Sequence, residues 1–248
     1  LKQEADYEII SYEGGQKDNA ITREAICEIL VAREDVEAVK ASAAKAEDGL
    51  REEYAGTDGN ITVQITEEGH AETDVLHPTS REKVLFYLVQ IPFGIQKMSG
   101  NIEGLVETST NIGIVKLSDD EFFARSSVRS SVEVARDALS DKIQYLTEFL
   151  GGEYEIQGAY PAWEYRKDSP LRDKMVSVYE EMYGQKPEVV AIHAGLECGL
   201  FYKKIEGLDC VSLGPNMKDI HTSEEVLDIA STERVWNYLV KVLEQLKD

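Results

Sequence analysis

The alternation of hydrophobic and polar positions predicts interleaved strands and helices over the first two thirds of the chain. Ile61, Val63 and Ile65 alternate with polar residues, which is the pattern of a half-buried strand. Between Val132 and Leu150 apolar residues recur every three or four positions, which predicts an amphipathic helix. Strands are predicted at 7–12, 25–31, 61–65, 106–117, 120–127 and 154–160, and helices at 35–50, 79–91 and 132–150. This mixture predicts an α+β domain built as a two-layer sandwich.

The pattern changes near residue 167, where a second region is predicted to begin. Ser169-Pro170 joins a capping residue to proline at the first helical position, and Gly184 follows the last apolar residue of that helix. Apolar runs at 188–192 and 208–213 flank an amphipathic stretch, which is the order of a parallel βαβ unit. A final helix is predicted to begin at the capping residue Ser231. We expect an α/β protein with domains at 1–167 and 168–248.

Charge and composition exclude several classes of function. The 248 residues include 26 Lys plus Arg against 47 Asp plus Glu, which gives a net charge of −21. This chain lacks the basic surface that phosphate contacts require, so no nucleic-acid partner is expected. No apolar run reaches the roughly 20 residues of a membrane span. The sequence shows no secretory leader, and its three cysteines form no CxxC pair, so a cytoplasmic protein is expected.

The four histidines are candidates for metal binding or proton transfer. His70 and His77 lie in polar segments and are interpreted as surface residues. His193 and His221 each follow a predicted strand of the βαβ unit, where open α/β sheets place their ligands. His221 could therefore ligate a metal or act as a general base, or it could be a surface residue beside two acids.

Four further positions carry groups suited to binding or catalysis. The turn at 193–199 (HAGLECG) could offer backbone N–H groups to an anion, or it could be an ordinary strand-to-helix turn. Cys198 could be a nucleophile with His193 as its base, although a buried packing role fits it better. Arg125 has a fork suited to a carboxylate, and an ion pair with one of the many acids is equally compatible. Asn19 lies in a predicted turn, where asparagine commonly bonds to the backbone.

Three segments together resemble the aminoacyl-histidine dipeptidase family (Xaa-His dipeptidases of the carnosinase type), which are di-zinc metallopeptidases. The most specific segment is IHAGLECGLF at 192–201. The others are GG at 14–15 with NAI at 19–21 and REA at 23–25, and GAYPAW at 158–163. VSLGP at 211–215, followed by His221, matches the closing motif of the family in order and spacing. The resemblance runs over essentially the whole chain.

The resemblance implies that the chain covers the C-terminal half of such an enzyme. Family members begin with a catalytic segment that holds a His-x-Asp motif, a bridging Asp, a Glu-Glu pair and a further acid, and this sequence has none of these motifs. The chain is expected to start inside the family's lid domain, without the first strand and helix of that domain. Near residue 167 it would return to the last part of the α/β catalytic domain.

The resemblance also implies roles for four residues. His221 matches the terminal histidine that ligates one of two zinc ions, with manganese or cobalt as other possible metals. Arg125 matches a lid arginine that grips the C-terminal carboxylate of the dipeptide, and Asn19 matches a lid asparagine near the substrate. Gly195 lies in a loop that offers backbone N–H groups to the substrate. In the family reaction a metal-bridging water attacks the peptide carbonyl, and the general-base glutamate belongs to the half that is absent here.

Two positions depart from the family pattern. His221 is followed by Thr222-Ser223 where relatives usually show Ser-Pro, so the loop differs beside the implied metal ligand. Ile21-Thr22 replaces the usual Ile-Pro in a turn of the lid.

Three functions are therefore considered for this chain. The first is a fragment of a zinc dipeptidase for Xaa-His dipeptides, inactive alone because one protein ligand cannot hold a zinc pair. The second is a non-catalytic module that forms a homodimer through the lid, where subunits of related enzymes meet. The third, which the sequence favours least, is a cysteine hydrolase that uses Cys198 and His193.

Overall fold

The structure, a computed structural model, describes residues 5–118, 120–190, 197–220 and 224–247. Its backbone divides into two compact units. The first comprises the described residues of 1–94, 110–127 and 142–154, and the second those of 95–109, 128–141 and 155–248. The domain boundary at residue 167 lies inside the second unit and stays a prediction.

Helices and strands follow one another in the mixed order that the sequence predicts. No described helix is both long and apolar enough to cross a membrane. The described strands are β1 (Tyr7–Gly14), β2 (Ala25–Val31), β3 (Gly94–Met98), β4 (Val106–Leu117), β5 (Phe122–Ser130), β6 (Met217–Lys218) and β7 (Val226–Leu227). The described helices are α1 (Val36–Glu53), α2 (Pro78–Gln90), α3 (Glu133–Phe149), α4 (Pro170–Tyr183), α5 (Glu197–Lys204) and α6 (Ile229–Gln245), with a 3-10 turn at Arg33–Asp35.

Five strands form one sheet, in which β4 is the central member. The strand order is β2-β1-β4-β3, and β5 also pairs with β4. β1 runs antiparallel to both of its neighbours, with Gly14 opposite Ala25 of β2 and opposite Val115 of β4. β3 is a strand that the hydrophobic pattern does not predict. β6 and β7 form a separate two-residue ladder on either side of residues 221–223.

The core of the first unit lies between the sheet and its helices. Val84, Tyr87 and Ile91 of the α2 segment are buried. The Tyr87 ring meets the edge of Phe122 at 5.5 Å between centroids. Buried members on the strands and α1 are Ile9, Val39, Val115 and Leu117, and Ile143 is the buried residue of α3 in this unit. The predicted mixed α/β fold is confirmed.

The predicted strand at 61–65 is wrong, because backbone groups of this segment bind side chains of α1. Arg51 donates from Nε to the carbonyl oxygen of Ile61 at 2.7 Å. The N–H of Val63 donates to the Glu47 carboxylate at 2.6 Å. The alternation of apolar residues is present, but the segment forms its hydrogen bonds with side chains of α1 and not with a neighbouring strand.

The core of the second unit is the contact between α4 and α6. Met175 and Val178 of α4 pack with Tyr238 and Val242 of α6, and Val178 is fully buried. The Tyr238 hydroxyl donates to the carbonyl oxygen of Met175 at 2.7 Å, so the polar end of this aromatic side chain is satisfied inside the core. These four side chains form the apolar contact that joins the two helices.

Both ends of α4 match the sequence prediction, whereas the start of α6 does not. Ser169 accepts from the N–H of Arg172 at 3.1 Å, and Gly184 ends the helix with a φ of 69°. The N-cap of α6 is Asp228, which accepts from the N–H of Ser231 at 3.0 Å. Ser231 is therefore in the first turn and is not the cap.

The predicted βαβ unit is represented among the described residues by its helix, α5. Residues 187–190 and 208–213 contain no strand in the structure, and 154–160 likewise forms none. The 208–213 segment is held by side-chain contacts instead, since Asp209 accepts from Ser169 Oγ at 2.7 Å and from the N–H of Leu171 at 2.9 Å. Its backbone is thus fixed against the first turn of α4.

Asp209 is the electrostatic anchor of this contact. Burial acts to raise the pKa of Asp209, but hydrogen bonds from Ser169 and Leu171 and the charges of Arg166 and Arg172 lower it below its ordinary value. A carboxylate at the N-terminus of a helix also interacts favourably with the helix dipole. The ionised form is therefore the one that stabilises the fold.

We expect Asp209→Asn to lower the free energy of unfolding by about 1–2 kcal/mol at neutral pH, because the charged acceptor at the helix N-terminus is lost. The folded-state pKa of Asp209 is depressed, so its contribution is present above the ordinary pKa of 3.8 and is lost as pH falls through the lower folded value. Urea unfolding at neutral and acidic pH measures both effects.

Asp173→Asn is the matched control, because Asp173 is an exposed acid in the first turn of the same helix. It removes one charge without removing the contact to the 208–213 segment. Equal losses of stability in the two variants would contradict the anchoring role of Asp209.

Candidate functional site

Two of the four implied site residues lie within the described part of the chain. Asn19 is exposed in the turn after β1, and Arg125 is half-buried on β5. Both belong to the first unit. His221 and Gly195 lie outside the described residues, as does His193, so their assigned roles stay predictions.

The turn that carries Asn19 lies directly against β4. Gly15 has a φ of 77°, which a residue with a side chain rarely adopts, and an added Cβ there would overlap the carbonyl oxygen of Gly113. At Gly113 an added Cβ would overlap the carbonyl oxygens of Lys17 and Asp18. Two glycines therefore let the backbones of the turn and the strand approach closely.

Polar contacts fix the same turn on β4. Asn111 donates from Nδ2 to the carbonyl oxygens of Asp18 at 3.2 Å and Ala20 at 2.8 Å, which are the residues on either side of Asn19. Thr22 donates from Oγ1 to the carbonyl oxygen of Ile112 at 2.9 Å. Asn111 and Gly113 escaped the sequence reasoning, because both lie more than 90 positions along the chain from the turn that they hold.

Arg125 lies on β5, a strand that pairs with β4. Its guanidinium carbon is 5.6 Å from the centroid of the Phe123 ring, within the range of a cation-π contact. The turn before β5 is closed by the N–H of Ser118, which donates to the carbonyl oxygen of Glu121 at 2.9 Å. The structure thus brings the Asn19 turn and the strand of Arg125 to one strand, β4.

A guanidinium fork and an exposed amide are groups that recognise a carboxylate. The fork can donate two parallel hydrogen bonds, and charge-assisted bonds of this kind are stronger than neutral ones. The contacts of Arg125 with Phe123 reduce the freedom of a long side chain, and the Asn111 bonds do the same for the backbone around Asn19. These contacts reduce the ordering cost that binding an anion at either group would carry.

The second unit contains α5, which begins at Glu197, the last residue of the HAGLE sequence. Gly199 of α5 is buried, and an added Cβ there would come within 2.8 Å of the Pro161 carbonyl oxygen and 3.5 Å of Trp163 Cβ. Lys203, near the other end of α5, forms a 2.9 Å ion pair with Glu133. The beginning of α5 is therefore positioned by close packing against the 161–163 segment.

The described residues do not form a metal site by themselves. Within the described ranges there is no group of three or more His, Cys, Asp or Glu side chains that could hold a metal ion. The implied ligand His221 falls between the short strands β6 and β7, outside those ranges. The fit of a zinc pair therefore cannot rest on the described side chains.

Comparisons with known proteins give consistent results over nearly the whole chain. The model of a family described as peptidase family M20/M25/M40 matches residues 3–245. The cytosol non-specific dipeptidase of Escherichia coli (strain K12) is 30% identical over 244 residues, which are 98% of this chain and 50% of that protein. The chain thus spans about half the length of this relative.

Two solved structures are similar in fold. Aminoacylhistidine dipeptidase from Vibrio alginolyticus matches with a TM-score of 0.88 and 31% identity, over 98% of this chain and 49% of that one. Aminopeptidase PepT from Bacillus cereus ATCC 10987 matches with a TM-score of 0.53 and 15% identity, over 68% of this chain and 46% of that one. The second likeness concerns the fold alone.

We expect Gly113→Ala to displace the turn that carries Asn19, because the new methyl group would overlap two carbonyl oxygens. The cost should be about 1–3 kcal/mol of unfolding free energy. Hydrogen exchange at the Ala20 amide, which donates to the Lys17 carbonyl, measures the release of the turn. Gly100→Ala is the control, since nothing lies within 4 Å of a Cβ there. Unchanged exchange in Gly113→Ala would contradict the close approach.

Proposed function

The chain belongs to peptidase family M20/M25/M40, and on that premise we propose that it is the substrate-binding portion of a zinc-dependent dipeptidase that acts on Xaa-His dipeptides. Both relatives named as dipeptidases support a dipeptide substrate, and the one named aminoacylhistidine dipeptidase supports a histidine dipeptide. The protein would work in the cytoplasm, where free dipeptides are available. The chain spans about half the length of these relatives, so we propose that the isolated chain is inactive.

One structural observation carries the substrate-binding part of this proposal. Arg125 lies on β5 and the Asn19 turn is bonded to Asn111, so both groups flank the central strand β4. We infer that Arg125 holds the C-terminal carboxylate of the dipeptide and that Asn19 contacts the bound substrate. Gly195, in the segment before α5, would add backbone N–H groups.

The metal would be held mainly by ligands from outside the described residues. His221 is the metal ligand that we assign to this chain, and the catalytic base would be a glutamate of the part that this chain lacks. When bound, a zinc pair would supply an activated water and polarise the peptide carbonyl. The same ligands could bind manganese or cobalt. The chain's own contribution would be to bind and orient the dipeptide.

We expect the isolated chain to show no turnover of an Xaa-His dipeptide with added zinc or manganese, and to bind zinc only weakly. An open zinc site normally has three protein ligands, whereas this chain is assigned one. A zinc titration of the chain and of its His221→Ala variant checks the assignment, and the variant should lose the remaining affinity. Turnover by the metal-loaded chain, or unchanged zinc affinity in His221→Ala, would refute this part of the proposal.

In a complete enzyme that contains this chain, Arg125→Ala should raise KM for dipeptides by about ten- to a hundredfold. A charge-assisted pair to a carboxylate contributes about 1.5–3 kcal/mol to binding. The metal content should be unchanged, as measured by elemental analysis, because a guanidinium is not a metal ligand. Arg125→Lys should recover part of the affinity, since it keeps the charge and loses the fork.

Arg129→Ala is the control for charge removal, because Arg129 is an exposed arginine on the same strand. It should leave KM near the parent value. A KM in Arg125→Ala equal to that of Arg129→Ala would mean that Arg125 does not bind the carboxylate.

A second candidate function is a non-catalytic lid module that associates as a homodimer. β2 is at the end of the strand order, and Ile26 on this strand is 64% exposed, so its edge is available for pairing with another chain. Helices α2 and α3 also expose Phe86, Tyr145 and Phe149 in the same unit. Light scattering of the chain at low and high salt distinguishes a discrete dimer from a monomer, and a dimer that also fails to bind dipeptides would favour the module.

A further inference from the structure

Two of the three cysteines lie side by side in the second unit, in a pair that the proposed peptidase function does not use. Cys198 is on α5 and Cys210 is in the 208–213 segment, and both residues are half-buried. The Cys210 thiol lies 3.9 Å from the carbonyl oxygen of Cys198. Cys198 and Trp163 are also close enough to Cys210 to influence the pKa of its thiol.

The fold holds both cysteines in this position by independent contacts. After α5 the chain reverses at Gly207, whose φ is 75° and whose carbonyl oxygen accepts from Arg166 at 2.9 Å. Asp209, next to Cys210, is bound to the first turn of α4. On the other side, the buried Gly199 next to Cys198 packs against Pro161. The pair is therefore prepared by packing, and bringing the sulfurs together costs little conformational entropy.

We propose that Cys198 and Cys210 form a reversible intramolecular disulfide by exchange with a low-molecular-weight disulfide. The inference goes beyond the proposed function and holds whether or not the chain is a peptidase. Neither cysteine needs a metal or a substrate to react in this way.

The order of the two exchange steps follows from the surroundings of Cys210. Burial, the neighbouring Cys198 and the charge of Asp209 raise the pKa of Cys210 to about 11, so its thiol is protonated at neutral pH. The Cys198 thiolate attacks the reagent RSSR, forms a mixed disulfide and releases RS⁻. Cys210 then loses its proton and attacks the Cys198 sulfur, which expels the second RS⁻. Two protein thiols are oxidised and one RSSR is reduced to two RSH, so atoms and electrons balance.

The bond would connect α5 to the 208–213 segment across a short loop. α5 begins at Glu197, two positions after the last of the HAG residues 193–195, and the loop between the cysteines includes the turn at Gly207. A disulfide here would restrict local opening of α5. Reduction would restore that opening, so the pair would couple the thiol redox state of the surroundings to the stability of this part of the unit.

The test uses the full chain with Cys27→Ser, because Cys27 is an exposed thiol on the edge strand β2 and could link two chains. The probe is oxidised glutathione in graded ratios with reduced glutathione. Trypsin cleaves after Lys203 and Lys204, which lie between the two cysteines, so a disulfide joins two tryptic peptides that are otherwise separate. Mass spectrometry without reductant detects the joined peptides, and thiol titration detects the loss of both thiols together.

We expect the joined peptides, the loss of both thiols and a higher melting temperature in the oxidised chain, all reversed by reductant. Cys210→Ser should instead accumulate a glutathione adduct on Cys198, and this adduct should not raise the melting temperature. The joined peptides are detected in a chain that keeps both Cys198 and Cys210, so poor folding of Cys210→Ser would not affect this result. The proposal is overturned if a glutathione adduct persists on Cys198 while Cys210 stays a free thiol. It is overturned equally if both thiols remain after Cys27 of the parent chain has reacted.

Discussion

The pairing of β4 with its neighbours is the constraint on which the sheet depends. β4 pairs with β1, β3 and β5, and it also receives the turn after β1. That turn fits because Gly15 and Gly113 have no side chains at the point where the two backbones meet. A side chain at either position would have to push the turn away from the strand. The placement of Asn19 therefore depends on β4 as well as on the local sequence of the turn.

In the second unit, one carboxylate has the corresponding role. Asp209 satisfies donors at the first turn of α4 and thereby fixes a segment that contains no strand of its own. Its neighbour Cys210 is consequently held beside Cys198. An ionised group at a helix N-terminus thus determines where an apolar segment and a thiol lie, while the α4–α6 core supplies most of the burial. The stability that Asp209 contributes depends on pH, whereas the stability from the apolar α4–α6 contact does not.

Sequence features at the two ends of α4 predict its structure well, whereas long-range contacts explain the failures at 61–65 and at Asn111. The ends of α4 follow from Ser169, Pro170 and Gly184, since each acts within one turn of its own position. The segment at 61–65 has the period of a strand, but its partners are side chains of α1, which no period reveals. Asn111 is equally invisible in the sequence, because an asparagine within a strand gives no sign of the turn that it binds.

The motifs that carry the family resemblance have a physical basis in packing as well as in chemistry. GAYPAW and HAGLECG are far apart in sequence, yet Pro161 and Trp163 of the first meet Gly199 of the second. In the same way, the Gly14-Gly15 and NAI segments meet on β4 through Gly113 and Asn111. A glycine at such a contact cannot be exchanged without moving a backbone, so it is restricted whether or not it touches a substrate. The specificity of these motifs therefore argues first for a shared fold.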